Sequence, residues 1–159
     1  MACATDPHHD SCHWPDEGMD MATTRRASTV WDGSLTEGGG QVTLESSGIG
    51  TYPVSWPARS AEPNGVTSPE ELIAAAHASC FSMALSGALS KSGTPPTRLT
   101  VSAEVDFQPG TGITGIRLTV SGDVPGLDAA EFRTAAEGAK AGCPVSRALS
   151  AVPITLTVQ

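Results

Sequence analysis

Two cysteines stand in contexts that suit thiol chemistry. Cys80 lies in TSPEELIAAAHASCFSMALSGALSKSG and Cys143 in KAGCPVSRAL. At helical spacing Cys80 has Ile73, Ala76, Met83, Ala84 and Gly87 as neighbours, all small or apolar. On residue type alone it reads as a core cysteine, because a free thiol packs like a small hydrophobe. Cys143 alters that weighing. It follows Gly142, which ends one helix, and precedes Pro144, which starts another. The residue before a proline is pushed out of the α region, which makes Cys143 the N-cap of the last short helix. Ser, Thr, Asp or Asn would cap better, so a cysteine there points to a thiol function. The unpaired N–H groups and the positive end of the dipole favour its thiolate. Two thiols this far apart in sequence meet only through the fold. Where they do, a thiolate can attack an O–O bond and become a sulfenic acid. The second thiol then condenses with it to a disulfide, which a reductant resets.

An attacking thiolate needs a cation. Cys80 sits about three turns beyond its helix start, too deep to use the dipole, which fades within the first turn. An arginine must supply the charge, fixed in turn by a carboxylate through a bidentate pair. Glu70 and Glu71 are the carboxylates of the first helical turn; Glu71 suits the cap, which leaves Glu70 free. Glu70 and Cys80 are roughly 15 Å apart along a straight helix, so they cannot share a site within it. Either the helix bends sharply or Glu70 serves a Cys80 on another chain, and a two-fold homodimer with sites at its interface follows. His77, three residues before Cys80, raises a rival: a cysteine hydrolase with a Cys–His pair. No Asp or Asn in a recognisable motif orients this histidine, which favours a packing or hydrogen-bonding role.

These residues need a scaffold. Short strands are expected over Ser28–Trp31, Gln41–Glu45 and Thr51–Ser55, with Gly38, Gly39 and Gly40 turning between the first two. A loop holding Pro57, Pro63 and Gly65 follows. Ser68 then caps a long helix, with Pro69 at its first position and Glu71 completing a capping box. It runs to Lys91 before Gly93 and Pro95 stop it. Apolar and small residues on nearly all its faces predict a buried central helix. Arg98–Phe107 and Gly115–Val124 read as a hairpin of amphipathic strands around a QPGTGIT turn. Asp128 caps a second helix over Ala129–Ala141, VSRALS forms a helical turn, and Ile154–Val158 closes the chain as a strand. The class is α+β, with antiparallel sheets around two main helices.

The bulk numbers narrow the function. The 159 residues suit one domain. Nine basic residues against 17 acids leave a formal net charge of −8, the wrong balance for nucleic acid or an anionic membrane surface. No apolar stretch is read as long enough to span a bilayer, and no basic region followed by an apolar run marks a leader. A cytoplasmic setting follows, where thiols stay reduced. Residues 1–20 differ from the rest: they are polar, aperiodic, and hold three of the four histidines and two of the four cysteines. They read as a disordered extension ahead of a domain at 21–159, with Met21 as a second candidate start. Cys3, His8, His9, Cys12 and His13 are zinc-type ligands whose spacing matches no standard finger, so no metal site is assigned. Trp31 and Trp56 read as core or interface aromatics.

The pattern resembles the OsmC/Ohr family of organic hydroperoxide reductases, and its OsmC branch more closely. Residues 67–86 and 139–149 carry the likeness most strongly, with VPGLD at 124–128 and VWDG at 30–33 in support. The resemblance extends over about residues 24–159, and two separated cysteine motifs in the right order make it specific. It implies an intertwined α+β homodimer with two interfacial sites, a peroxidatic Cys80 and a resolving Cys143. The glutamate after the proline of its Pro-Glu-Glu motif matches Glu70. The arginine that family members place ahead of that motif points to Arg59, with Arg25 and Arg26 as alternatives nearer the N-terminus. The resemblance further implies an organic hydroperoxide as substrate, a dihydrolipoyl dithiol as reductant, a role in oxidative and osmotic stress, and no metal or organic cofactor. The N-terminal extension departs from the family pattern.

Overall fold

The computed structural model describes residues 22–159. The extension and its cysteine–histidine cluster lie outside the described residues. Strands β1 (Ser28–Asp32), β2 (Gly39–Thr43) and β3 (Thr51–Val54) form an antiparallel sheet in chain order. The turn between β1 and β2 was expected at Gly38–Gly40, but Gly39 and Gly40 lie inside β2, opposite Asp32 and Trp31. The reason is steric. A Cβ on Gly40 would meet the Trp31 ring at 2.8 Å and Val54 Cγ2 at 2.9 Å, so the glycine lets two large side chains cross the strand.

The segment expected as a loop after β3 instead begins with a short helix, α1 (Trp56–Ser60). Ser55 caps it by accepting from Ala58 N–H, and Pro57 occupies its first turn. Next comes α2 (Pro69–Lys91), with the expected boundaries. The Ser68 hydroxyl accepts from Glu71 N–H at 3.2 Å, while the Glu71 carboxylate accepts from Thr67 rather than reaching back to the cap.

Strands β4 (Arg98–Gln108), β5 (Gly112–Asp123) and β6 (Ile154–Val158) make the second sheet. β4 and β5 pair antiparallel, as expected, with a bulge at Asp106/Phe107. β6 pairs parallel to β5, so this sheet is mixed. Between β5 and β6 run α3 (Ala129–Gly142) and α4 (Pro144–Ala148). Asp128 and Glu131 cap α3 reciprocally.

The core lies between α2, α3 and the second sheet. Phe81, Leu85 and Leu89 of α2 meet Leu118 and Val120 of β5 and Phe132, Ala136 and Ala139 of α3. Each large side chain buried there contributes about 1.5–3 kcal/mol. The buried residues of α2 are Glu70, His77, Phe81, Leu85 and Leu89, one face of the helix. The expectation of burial all round is corrected here: Ala75, Ala76, Ser79, Met83 and Gly87 are exposed, Met83 at 68%. By length and composition α2 would also suffice to cross a bilayer, with a mean hydropathy of 1.5, which corrects the expectation of no such stretch. Core helices of globular folds meet the same measure, and this one packs against β4 and α3.

Candidate thiol site

Cys80 and Cys143 are brought together. Cys80 of α2 packs against the core cluster that holds Cys143 of the α3–α4 junction, close enough for each thiol to act on the other's ionisation. Both are free, Cys80 half-buried and Cys143 fully enclosed. Cys143 is the N-cap of α4, with φ −63° and ψ 122°, as the proline after it dictates. Its sulfur closes no capping hydrogen bond of regular geometry. Burial opposes its ionisation. The N–H of Ser146, the Cys80 thiol, the Ser146 hydroxyl and the Val145 N–H together outweigh that penalty, and the Cys143 thiol falls below the ordinary thiol range. Cys80 moves the other way. Burial pushes its thiol up, the Val145 N–H pulls against it, and the Cys143 sulfur adds to the rise.

His77 is wholly buried on α2. Its Nε2 lies 2.7 Å from Ser146 Oγ on α4. That partner is a serine rather than the Cys80 thiol, which weakens the hydrolase reading. Burial holds the imidazole below the usual histidine range, so it is neutral near pH 7. Ser146 was missed from sequence. The contact spans 69 residues of sequence, and no local pattern relates the two helices it joins.

A second cluster lies at the start of α2. Arg59 Nη2 and Nε donate to Glu70 Oε1 at 2.8 and 3.0 Å, and Nε also reaches Oε2 at 3.3 Å. Glu70 is buried, whereas the Arg59 side chain is one-third exposed. The guanidinium stacks on the Phe107 ring, 4.1 Å from its centroid, and Trp56 meets the same ring edge-on. One aromatic thus steadies the cation from β4 while a carboxylate fixes it from α2. Phe107 was not anticipated in this role. Beside Arg59 a cavity of about 230 Å³ is lined by Trp31, Leu35, Val54, Trp56 and Pro69 among others. The Arg59–Glu70 pair and the thiol pair sit about three helical turns apart on one chain, as the spacing along α2 requires. The alternatives Arg25 and Arg26 are exposed at the chain's first described residues, where Arg25 donates to the Thr24 carbonyl and the Arg26 N–H to Ser46.

The model of a family described as OsmC-like protein matches residues 62–158. The chain is 42% identical over 142 residues to peroxiredoxin OsmC of Escherichia coli (strain K12), covering 87% of this chain and 98% of that protein. Among solved structures it is similar to an organic hydroperoxide resistance protein OsmC from Legionella pneumophila. That structure gives a TM-score of 0.69 at 25% identity, covering 87% of this chain and 98% of the other. The organic hydroperoxide resistance protein OhrB of Bacillus subtilis shares the fold, with a TM-score of 0.66 at 23% identity over 84% of this chain and 98% of its own.

Proposed function

The chain belongs to the OsmC-like protein family, and from that membership we propose that it is a thiol peroxidase reducing organic hydroperoxides to alcohols, with Cys80 attacking and Cys143 resolving. The observation that carries this reading is the meeting of the Cys80 and Cys143 thiols from distant segments of one chain. Cys80 thiolate attacks the distal peroxide oxygen. The O–O bond breaks, the alkoxide takes a proton and leaves as the alcohol, and Cys80 becomes a sulfenic acid. Cys143 thiolate then attacks that sulfur, the S–O bond breaks, and the oxygen leaves as water while the disulfide forms. A dithiol, of the dihydrolipoyl class by family resemblance, returns two electrons and two protons. A reducing compartment such as the cytoplasm keeps that reset available.

Within one chain the Val145 N–H only partly offsets the rise in the Cys80 thiol. Arg59 is built for the task, but Glu70 holds it at the far end of α2. The uncovered face of α2 and the exposed Val30, Trp31 and Tyr52 of the first sheet are surfaces that a second copy would cover. The reading is therefore a homodimer in which Arg59 of one protomer faces Cys80 of its partner. The apolar cavity beside Arg59 then receives the alkyl part of the peroxide, which favours organic hydroperoxides over hydrogen peroxide.

Intact mass and thiol mapping after one equivalent of cumene hydroperoxide, with hydrogen peroxide in parallel, test this. The expected result is loss of two hydrogens, mapped to a Cys80–Cys143 bond, faster with the organic peroxide. Cys80→Ser should abolish peroxide consumption, and Cys143→Ser should stop at a Cys80 sulfenic acid in a single turnover without dithiol. Unmodified thiols in a folded protein would remove the reading.

A further inference from the structure

His77 is an expensive residue to keep where it is. It is 0% exposed, and its Nδ1 has no hydrogen-bond partner among the described residues. A buried polar atom without a partner destabilises the fold, and an apolar side chain of similar size would avoid the cost. What the imidazole does make is one short contact, Nε2 to Ser146 Oγ at 2.7 Å, which joins α2 to α4 next to the thiol pair. The proton can be placed. A bare buried lone pair is better tolerated than a bare buried N–H, so the orphaned Nδ1 is the unprotonated nitrogen and Nε2 carries the hydrogen. Nε2–H then donates to Ser146 Oγ. With that lone pair occupied, the Ser146 hydroxyl hydrogen is left to donate elsewhere, and the neighbouring thiol is that of Cys143, three residues earlier at the N-cap of the same helix and, like Ser146, buried.

We propose that His77 is a positioning residue for the resolving thiol: through Ser146 it aims a hydroxyl hydrogen at the Cys143 sulfur and holds Cys143 as the thiolate that closes the disulfide. The proposal rests on the peroxidase reading for its purpose, but its geometry stands apart from it. His77 stays neutral throughout and exchanges no proton with substrate. Its burial, which keeps the imidazole uncharged, suits a fixed donor rather than a general base. Cys80 is the titratable group that acts on Cys143 directly, and His77 reaches it only through Ser146. The arrangement also divides the labour between the two thiols: the cation cluster at Arg59 serves Cys80, and the histidine–serine pair serves Cys143.

The test uses Ser146→Ala, His77→Leu and His77→Gln, the last keeping a donor that can reach Ser146. The first arm follows ultraviolet thiolate absorbance against pH in a Cys3→Ser, Cys12→Ser, Cys80→Ser background, where Cys143 is the one cysteine left, because that thiol is enclosed and out of reach of an alkylating reagent. Loss of one hydrogen bond to a thiolate should move the profile up by about one pH unit in Ser146→Ala and His77→Leu. His77→Gln should restore most of it. The second arm follows quenched samples after one equivalent of cumene hydroperoxide, separating sulfenic-acid formation at Cys80 from disulfide closure. Closure should slow about tenfold relative to formation in both deficient variants, and a chain carrying His77→Leu and Ser146→Ala together should be no worse than Ser146→Ala. Ser146→Ala keeps the test decisive should the larger change at His77 prevent folding. Unchanged Cys143 profiles in Ser146→Ala and in folded His77 variants would overturn the proposal. If wild-type thiols ignore the peroxide, the peroxidase reading falls, while the titration arm still decides whether His77 and Ser146 hold Cys143.

Discussion

At the scale of residues, the site is two charge problems solved by different means. A buried thiol resists ionisation, and each cysteine meets that resistance differently. Cys143 has N–H groups, a hydroxyl and a second thiol around it, whereas Cys80 in one chain has chiefly burial against it. The cation proposed for Cys80 is Arg59, and the rigidity of that cation comes from Glu70 and Phe107. A guanidinium held by two nitrogens to one carboxylate keeps both its position and its plane, which a single contact does not. Glu70→Gln retains the volume and one acceptor but loses the charge and the fork. The rate of Cys80 oxidation by cumene hydroperoxide should fall about tenfold to a hundredfold, because a small misplacement of a charged group is costly in the transition state. Stability should change much less, by about 1–2 kcal/mol, since Arg59 is partly solvated. Rapid-mixing oxidation rates beside thermal melts would separate the two effects. An oxidation rate equal to wild type would exclude Arg59 and Glu70 from the reaction.

At the scale of elements, α2 carries both Glu70 and Cys80, the two ends of the proposed chemistry, and supplies Phe81, Leu85 and Leu89 to the core. Its buried face packs on β4 and α3. Leu85 is fully enclosed, so Leu85→Ala should cost about 2–5 kcal/mol, read as a lower urea midpoint with an unchanged slope. A cost under about 0.5 kcal/mol would mean that α2 is not seated as described. The long elements were legible in sequence because their periodicity is local: the period of two in β4 and β5, and the Ser68-Pro69 and Asp128 starts of α2 and α3. Three features were not. The helix α1 is five residues long and begins Trp56-Pro57, too short for periodicity to register. Gly39 and Gly40 read as a turn, although their place in β2 is dictated by Trp31 and Val54 on the flanking strands. β6 reads as a strand, but its parallel pairing with β5 depends on the path of α3 and α4 between them. The thiols and Glu70 were legible from cap chemistry and spacing. Arg59 came from family resemblance, and the His77–Ser146 contact joins helices that nothing in the local sequence relates.

At the scale of the whole molecule, the distance along α2 becomes an argument about assembly. A straight helix cannot bring Glu70 and its arginine to Cys80, and α2 is one continuous helix from Pro69 to Lys91. The cation must therefore act on a thiol of another chain, or not act at all. A two-fold dimer makes this testable by mixing. A Cys80→Ser chain retains Arg59, and an Arg59→Ala chain retains Cys80; each homodimer lacks one essential group at both of its sites. In a heterodimer with sites shared between chains, one site collects both losses and the other collects both intact groups. Random reassortment puts half of the dimers in that class with one working site of two. Co-expressed or co-refolded chains should then recover about a quarter of the wild-type peroxidase rate from two nearly inactive parents. If the site lay within a single chain, every site in the mixture would carry one defect and nothing would be regained. Sedimentation of the same samples guards the inference, because only a mixture shown to contain dimers makes an absent recovery count against a shared site. Recovery near a quarter would assign Arg59 and Cys80 to opposite protomers and give the uncovered face of α2 its reason.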